Sequence, residues 1–403
     1  RRLIKLDQVF FSPPYIDGPV RIEALYTIHV SGEADFAIEA DLGKAHLSIP
    51  QLNWEKQADV SALFTAELNV LDNRLASIDH FSVRSQGANL DVVGHARFSK
   101  DVSLEVLNLD KSVIGKSIFS VQASSDSNAV TTVSAEGSVL DASNFWTTIR
   151  QSDQTRSIRE ESNIQKLPEY RFTGRVDRLL LSPDGELTNV QASVEQKSTG
   201  LSSIELSALV NDEDAFTLTM ESQDKGRLFK AESENGGAVL RALGLGDDFV
   251  DGDLSVTGAV QESGAVEGTF NMGSFKVVDA PLLARLLSVA SLTGIVDELE
   301  GSGISFSELN LPFSYADNVF SVQNGAMHGA SLGLTGRGRY DANQNTVEGE
   351  GTLIPAYAFN SAVGSIPILG PILIGGEKSG GVFSATYTVR GNPEGAEITV
   401  NPL

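Results

Sequence analysis

Residues 21–42 read RIEALYTIHVSGEADFAIEADL. Apolar side chains alternate with polar ones on both sides of Ser31-Gly32. Successive side chains of a strand point to opposite faces, so this spacing predicts two half-buried strands joined by a turn. The layout returns along the chain. Residues 72–98, DNRLASIDHFSVRSQGANLDVVGHARF, read as three strands with turns near Asp72-Asn73 and Gly87. DGELTNVQASVEQKSTGLSSIELSALV (184–210) and DNVFSVQNGAMHGASLGLTGRGRY (317–340) repeat it. These later copies open on Asp-Asn or Asp-Gly, pairs that tolerate positive φ. Identity between copies is low, so the unit is a repeated hairpin and not a strict sequence repeat.

Composition narrows the function. The chain has 403 residues, of which 41% are apolar, enough for two or three units or one elongated one. It carries 53 acidic against 30 basic residues, a net charge of −23. That balance argues against nucleic acid, whose phosphates need Lys/Arg stripes, and against adhesion to an anionic bilayer. There is no cysteine, which excludes disulfides and thiolate metal sites. The chain opens at Arg1 with no leader-like segment, and the expectation is a fragment of a longer protein.

Against this acidity, GTLIPAYAFNSAVGSIPILGPILIGG (351–376) has no charged side chain. It is long enough for a membrane helix, but Pro355, Pro367 and Pro371 with Gly364, Gly370, Gly375 and Gly376 would break one repeatedly. A short helix is expected at about 355–363, followed by an apolar track of Ile366, Ile368, Leu369, Ile372, Leu373 and Ile374.

Other helical signals are short: 142–149, about 236–246 and about 280–300. In the last, Pro281 suits a first helical position. Leu282, Leu286 and Val289 follow the helical rhythm, with Leu283 and Leu287 widening the stripe. Ser291 is placed to cap a second short helix carrying Leu292 and Ile295. The polar stretch 151–168 reads as a linker or exposed loop between regions 1–150 and 169–403.

Catalytic motifs fail their context tests. Gly329-Ala330-Ser331-Leu332-Gly333 fits a nucleophile elbow, but the alternating, glycine-rich sequence after it cannot start the helix that motif needs. DDFVDGD (247–253) lacks the ligand spacing of a calcium loop, and Asp251-Gly252-Asp253 reads as a hairpin turn. The five histidines have no partner spacing for zinc. The expectation is a non-enzyme without metal or cofactor. What remains are two apolar surfaces, 280–299 and 351–376, each either a plug in a β core or a lipid-facing wall.

FKVVDAPLLARLLSVASLTGIVDELEGSGISFSELNLPF (275–313), MHGASLGLTGRGRYD (327–341) and the run from Gly351 to Leu403 together resemble the C-terminal region of the AsmA-like family, closest to its YhdP-type members. LSIPQLNWEKQADVSALFTAEL (47–68) and RFTGRVDRLLLSPDGELTNVQASVE (171–195) look more loosely like that family's middle region. The resemblance implies a mainly β fold: an elongated, strongly curved antiparallel sheet forming a groove with a hydrophobic inner face. It implies a periplasmic protein of Gram-negative bacteria, anchored in the inner membrane by an N-terminal helix. Its work would be to carry phospholipid toward the outer membrane and support that membrane's barrier. The family has no catalytic residues to transfer, so the leucines and isoleucines named above are lipid-contact candidates by pattern alone. The alternative is a structural β scaffold or outer-membrane assembly factor acting through sheet edges.

Overall fold

The computed structural model describes residues 13–101, 103–126, 130–152, 168–183, 185–224, 226–355 and 384–402. They are mainly β, with a few short helices. The chain divides into two compact units: one holds the residues up to 152, 160–213 and 242–244, the other 214–241 and 245–403.

In the N-terminal unit the strands are β1 (Ile16–Asp17), β2 (Arg21–Ile28), β3 (Ala34–Asp41), β4 (His46–Ile49), β5 (Trp54–Lys56), β6 (Leu63–Leu71), β7 (Arg74–Ser85), β8 (Leu90–Phe98), β9 (Leu104–Ile114), β10 (Ser117–Ser125) and β11 (Thr131–Asp141). Helix α1 (Ser143–Ser152) follows, then β12 (Tyr170–Ser182), β13 (Gly185–Lys197) and β14 (Gly200–Val210). The quoted stretch 21–42 forms the β2–β3 hairpin, as its alternation predicts. Residues 72–98 give two strands after their opening turn, not three. Gln86–Ala88 is a single 3-10 turn, and β7 runs unbroken for 12 residues before it.

Two turns work as their residues dictate. Asp72 and Asn73 (φ 51° and 60°) join β6 to β7 in a two-residue loop with both central residues left-handed. That backbone twist matches the twist of the flanking strands. The other such loop belongs to the second unit, below.

One pairing departs from the antiparallel expectation: β11 and β12 lie parallel, from Thr131↔Tyr170 to Asp141↔Leu180. A parallel neighbour needs a crossover, and α1 lies in it. The buried carboxylate of Asp141 accepts bonds from the Ser143 backbone N–H (3.1 Å) and hydroxyl (2.5 Å), fixing the start of that helix. β11 and β12, which flank the polar stretch 151–168, are thus neighbours in one unit, and the two units divide mainly between residues 213 and 214.

A small sheet, β1-β4-β5, packs Leu47 and Trp54 against Leu42, Leu90, Val92 and Ile114. Trp54 donates its indole N–H to the Ala88 carbonyl at 2.7 Å, so this buried ring leaves no orphan donor.

The C-terminal unit contains β15 (Asp214–Gln223), β16 (Gly226–Ser233), α2 (Gly236–Ala242), β17 (Phe249–Gln261), β18 (Val266–Val277), α3 (Pro281–Val289), α4 (Thr293–Glu300), β19 (Ile304–Ala316), β20 (Val319–Gly329), β21 (Leu332–Asp341), β22 (Thr346–Pro355), β23 (Ala385–Gly391) and β24 (Glu397–Pro402). Its ten strands pair antiparallel in chain order. Among the described residues β24 pairs only with β23, so the sheet is not closed. Asp317 and Asn318 (φ 51° and 63°) make the second two-residue turn, between β19 and β20.

Backbone irregularities set which side chains face inward. Asp251 and Gly252 (φ 61° and 94°) form an irregularity inside β17, opposite Ser274 (φ 50°) in β18, where a hairpin turn was expected. No residue is inserted, since Asp251↔Phe275 and Asp253↔Gly273 keep one register. The left-handed backbone on both strands instead changes the phase of the alternation, and Met272 and Phe275 are both buried although an odd number of positions separates them. Residues Ile304, Phe306 and Leu309 show the same change of phase in β19.

Helices α3 and α4 cover this inner face. Leu286, Leu287, Leu292 and Leu299 join Phe275, Ile304, Phe306, Leu332 and Leu353 in one core. Pro281 stands at the first turn of α3 as expected. Ser291 does not cap α4: it has φ 60°, and Leu292 occupies the cap position with no side-chain bond. Ile354 and Pro355 end a strand and do not begin a helix. The rest of the helix expected at 355–363 lies outside the described residues.

Leu287 is fully buried, so Leu287→Ala should remove about 2–5 kcal/mol of stability. Urea denaturation should show a lower midpoint with an unchanged slope; an unshifted midpoint would place this leucine outside the core.

Candidate functional site

The inner face of the C-terminal sheet carries a patch without side chains. Register places Gly336 opposite Gly351 and Gly338 opposite Gly349 across β21 and β22. Gly325 on β20 sits opposite Gly336. The intervening residues point outward and pair across the strands: Arg337 with Glu350 (2.5 Å) and Arg339 with Glu348 (3.2 Å). Thus GRGR at 336–339 and EGEG at 348–351 are complementary, charge matched to charge on one face and glycine to glycine on the other.

Apolar side chains ring the patch. Leu334 and Leu353 pair at one end, Tyr340 and Val347 at the other. Leu311 and Val322 stand on the β19–β20 side, Tyr387 and Val389 on the β23 side. The result is an apolar pit of about 490 Å³, overhung by Leu282, Leu283 and Leu286 of α3. Its size falls in the usual range of small-ligand sites.

Tyr387 explains two of the glycines. Its hydroxyl donates to the Thr335 carbonyl at 3.1 Å, which lays the ring across the floor. A Cβ at Gly336 would lie 2.7 Å from that hydroxyl oxygen, and one at Gly351 2.5 Å away. Burial pushes the Tyr387 phenol above its ordinary value, so it stays neutral and donating. Gly349 differs: a Cβ there meets only the Arg337 carbonyl at 3.4 Å and Gly338 Cα at 3.8 Å. The Gly338–Gly349 end of the floor is therefore open, while the Gly336–Gly351 end is covered by the tyrosine.

A wider concavity of about 1000 Å³ lies on the same unit, but Glu221, Lys230, Glu267 and several threonines edge it. Its glycines, Gly258 and Gly268, already lie under the rings of Phe229 and Phe313.

The structure brings together only some of the residues picked from sequence. Leu282, Leu283 and Leu286 border the pit. Leu287 and Leu292 are buried in the core, and Ile295 packs against it. Val289 is exposed and outside the pit. Ile366, Ile368, Leu369, Ile372, Leu373 and Ile374 lie outside the described residues. The glycines, Val322, Tyr340, Val347, Tyr387 and Val389 were not picked. The alternating GRGR and EGEG tetrads were the available signal, since opposite charges in matching phase indicate two paired strands with glycine on the other face.

Ser331 lies in the turn between β20 and β21 and donates to Glu298 of α4 at 3.1 Å. A strand follows it, so the exposed strand-to-helix elbow of a hydrolase is not formed. Among the described residues no group of three His, Asp or Glu could hold a metal ion, and no helix is long and apolar enough to cross a membrane.

No protein family, curated protein or solved structure matches the chain.

Proposed function

We propose that this protein is a segment of a periplasmic lipid conduit, which holds phospholipid tails along the hydrophobic inner face of an open β-sheet and so supports the outer-membrane barrier. The observation that carries the reading is the apolar pit on the C-terminal unit, with bare backbone for a floor. Each methylene moved from water into such a surface gains about 0.8 kcal/mol, while a headgroup stays in solvent. Neighbouring positions on an apolar face are nearly equivalent in energy, so a tail can slide without nucleotide, metal or bond chemistry. The outer face of the same unit complements this with the cross-strand ion pairs Arg337–Glu350 and Arg339–Glu348, which keep it in water. The resemblance of 275–403 to the AsmA-like C-terminal region supports the same reading, along with inner-membrane anchoring of the full-length protein.

Purified, extensively washed protein should retain phospholipid in native mass spectrometry, and a photocrosslinker in place of Phe320, at the pit's edge, should label it. Protein that carries no phospholipid and gives no lipid adduct would count decisively against the conduit.

A second reading, a scaffold or assembly factor working through protein contacts, is favoured by β2. Among the described residues it pairs only with β3, and Ile22, Leu25, Tyr26 and Ile28 are 63–78% exposed. An apolar edge strand offers main-chain groups to an added strand. Lipid-free protein that binds a partner through this edge is the outcome that would select it.

A further inference from the structure

We propose that the glycine-floored pit is a site for one acyl tail of a phospholipid, held with its methyl end under α3 and its headgroup end at the β19–β20 and β21–β22 hairpins. This rests on the lipid-conduit reading and adds to it a location, a stoichiometry and a direction.

Stoichiometry follows from volume. If a methylene takes the ~30 Å³ of a water molecule in the liquid, the pit of about 490 Å³ holds about sixteen of them, one tail and not two. The second tail must lie elsewhere on the sheet. The tail's own chemistry suits the lining. Val322, Val347, Val389, Leu311 and the Tyr387 ring offer no polar group inside the pit, because the Tyr387 hydroxyl is already given to Thr335.

Direction follows from the two rims. Under α3, the pit is overhung by Leu282, Leu283 and Leu286, and Asp248 lies at that rim. Asp247 and Asp279 stand close enough to raise the Asp248 carboxyl further after burial has raised it. A phosphate there would meet like charge and a leucine roof. The hairpin rim has no apolar roof and is rich in hydrogen-bonding groups. Of its carboxylates, Asp317 lies in the β19–β20 turn and Asp341 accepts the Asn343 and Gln344 backbone N–H groups. Tyr315 donates to Asn318, Asn318 to Asn343, and Tyr340 to Asn345. Beyond them the β21–β22 turn is exposed at Asn343 and Gln344. A headgroup reaches water at this rim without passing the leucine roof, among groups that can hydrogen-bond it.

Gly349 is the test position. It faces the open floor, and the backbone around it leaves ordinary contact distance for a Cβ, so Gly349→Leu sends its side chain into the pit from below. The chain has no cysteine, so single-cysteine variants carry one label each. A bimane fluorophore is attached at Leu282→Cys, on the roof, or at Gln344→Cys, at the hairpin rim. Each labelled protein is titrated with phosphatidylcholine carrying a nitroxide quencher near either the methyl end or the carboxyl end of one tail. The methyl-end quencher should dominate at position 282 and the carboxyl-end quencher at 344. Both signals should vanish in the Gly349→Leu background, with circular dichroism unchanged. The reverse order, equal quenching by both lipids, or quenching that survives Gly349→Leu would overturn the site. So would quenching by the matching nitroxide fatty acids alone. Phospholipid that co-purifies without position-dependent quenching would sink this site and leave the conduit standing. Absence of both would remove the two together.

Discussion

Gly351→Val should unfold the C-terminal unit or lower its stability by about 4 kcal/mol or more, the range reserved for overpacking against backbone. A Cβ at this position collides with the Thr335 carbonyl oxygen and the Tyr387 hydroxyl. The first is backbone in a paired strand and cannot move without breaking the β21–β22 ladder. The second could swing away only by giving up its bond to Thr335 and uncovering the floor. Gly349→Leu, two residues earlier on the same face, should leave the fold intact, because a Cβ there meets no atom closer than 3.4 Å and the rest of the side chain enters the pit. The pair separates steric cost from position in sequence. Thermal melts followed by circular dichroism check it. At roughly 2–4 °C per kcal/mol for a unit of this size, Gly351→Val should melt far below the parent and Gly349→Leu close to it. Equal melting temperatures for the two variants would show that the register described for β21 and β22 is wrong.

Lys56→Met should cost about 3 kcal/mol and loosen the segment around 42–62 in particular. Lys56 is only 1% exposed, and its ammonium donates to the carbonyls of Ala45 (2.8 Å), Val60 (2.8 Å) and Gln57 (3.0 Å), with Gly43 at 3.5 Å. An ammonium has three hydrogens, and here each has an acceptor. Burial pushes its pKa below the ordinary lysine value, opposed by the nearby charges of Asp41 and Asp59. Methionine matches the stem in length and removes the donors, which leaves buried carbonyls unpaired. The loop would keep Lys44–Asp59 (2.5 Å), but that pair is exposed and holds little. Hydrogen exchange should rise across this loop and stay unchanged in the C-terminal unit. Protection equal to that of the parent protein would show that the ammonium does not organise the loop.

Neither lysine nor glycine announces these roles in one dimension. Lys56 stands in WEKQADV, where a polar residue between polar neighbours reads as surface. It is buried because β4 and β5 fold their hairpin over the main sheet and bring carbonyls from residues 43–60 around one point. The apolar stripe of 282–295 was legible, but its division was not. Facing residues of α3 go either into the core, as Leu287 does, or onto the pit, as Leu283 does. That choice depends on how far the helix axis lies from each strand beneath it, a distance the heptad-like spacing does not contain.

Sequence alone settled the β class and several hairpins with their turns, because alternation and positive φ are properties of a few neighbouring residues. Asp72-Asn73 and Asp317-Asn318 turn the chain wherever they occur. It also determined which face of β21 and β22 is charged, since GRGR and EGEG carry their own phase. Tertiary structure alone decided that β11 and β12 run parallel and that left-handed backbone at Asp251-Gly252 and, opposite it, Ser274 changes the inward face. It alone decided that Gly325, Gly336, Gly338, Gly349 and Gly351 meet in one floor, with Tyr387 over Gly336 and Gly351. A pit is made of what several strands leave out, and the register that aligns those omissions is fixed only when strands far apart in sequence pair.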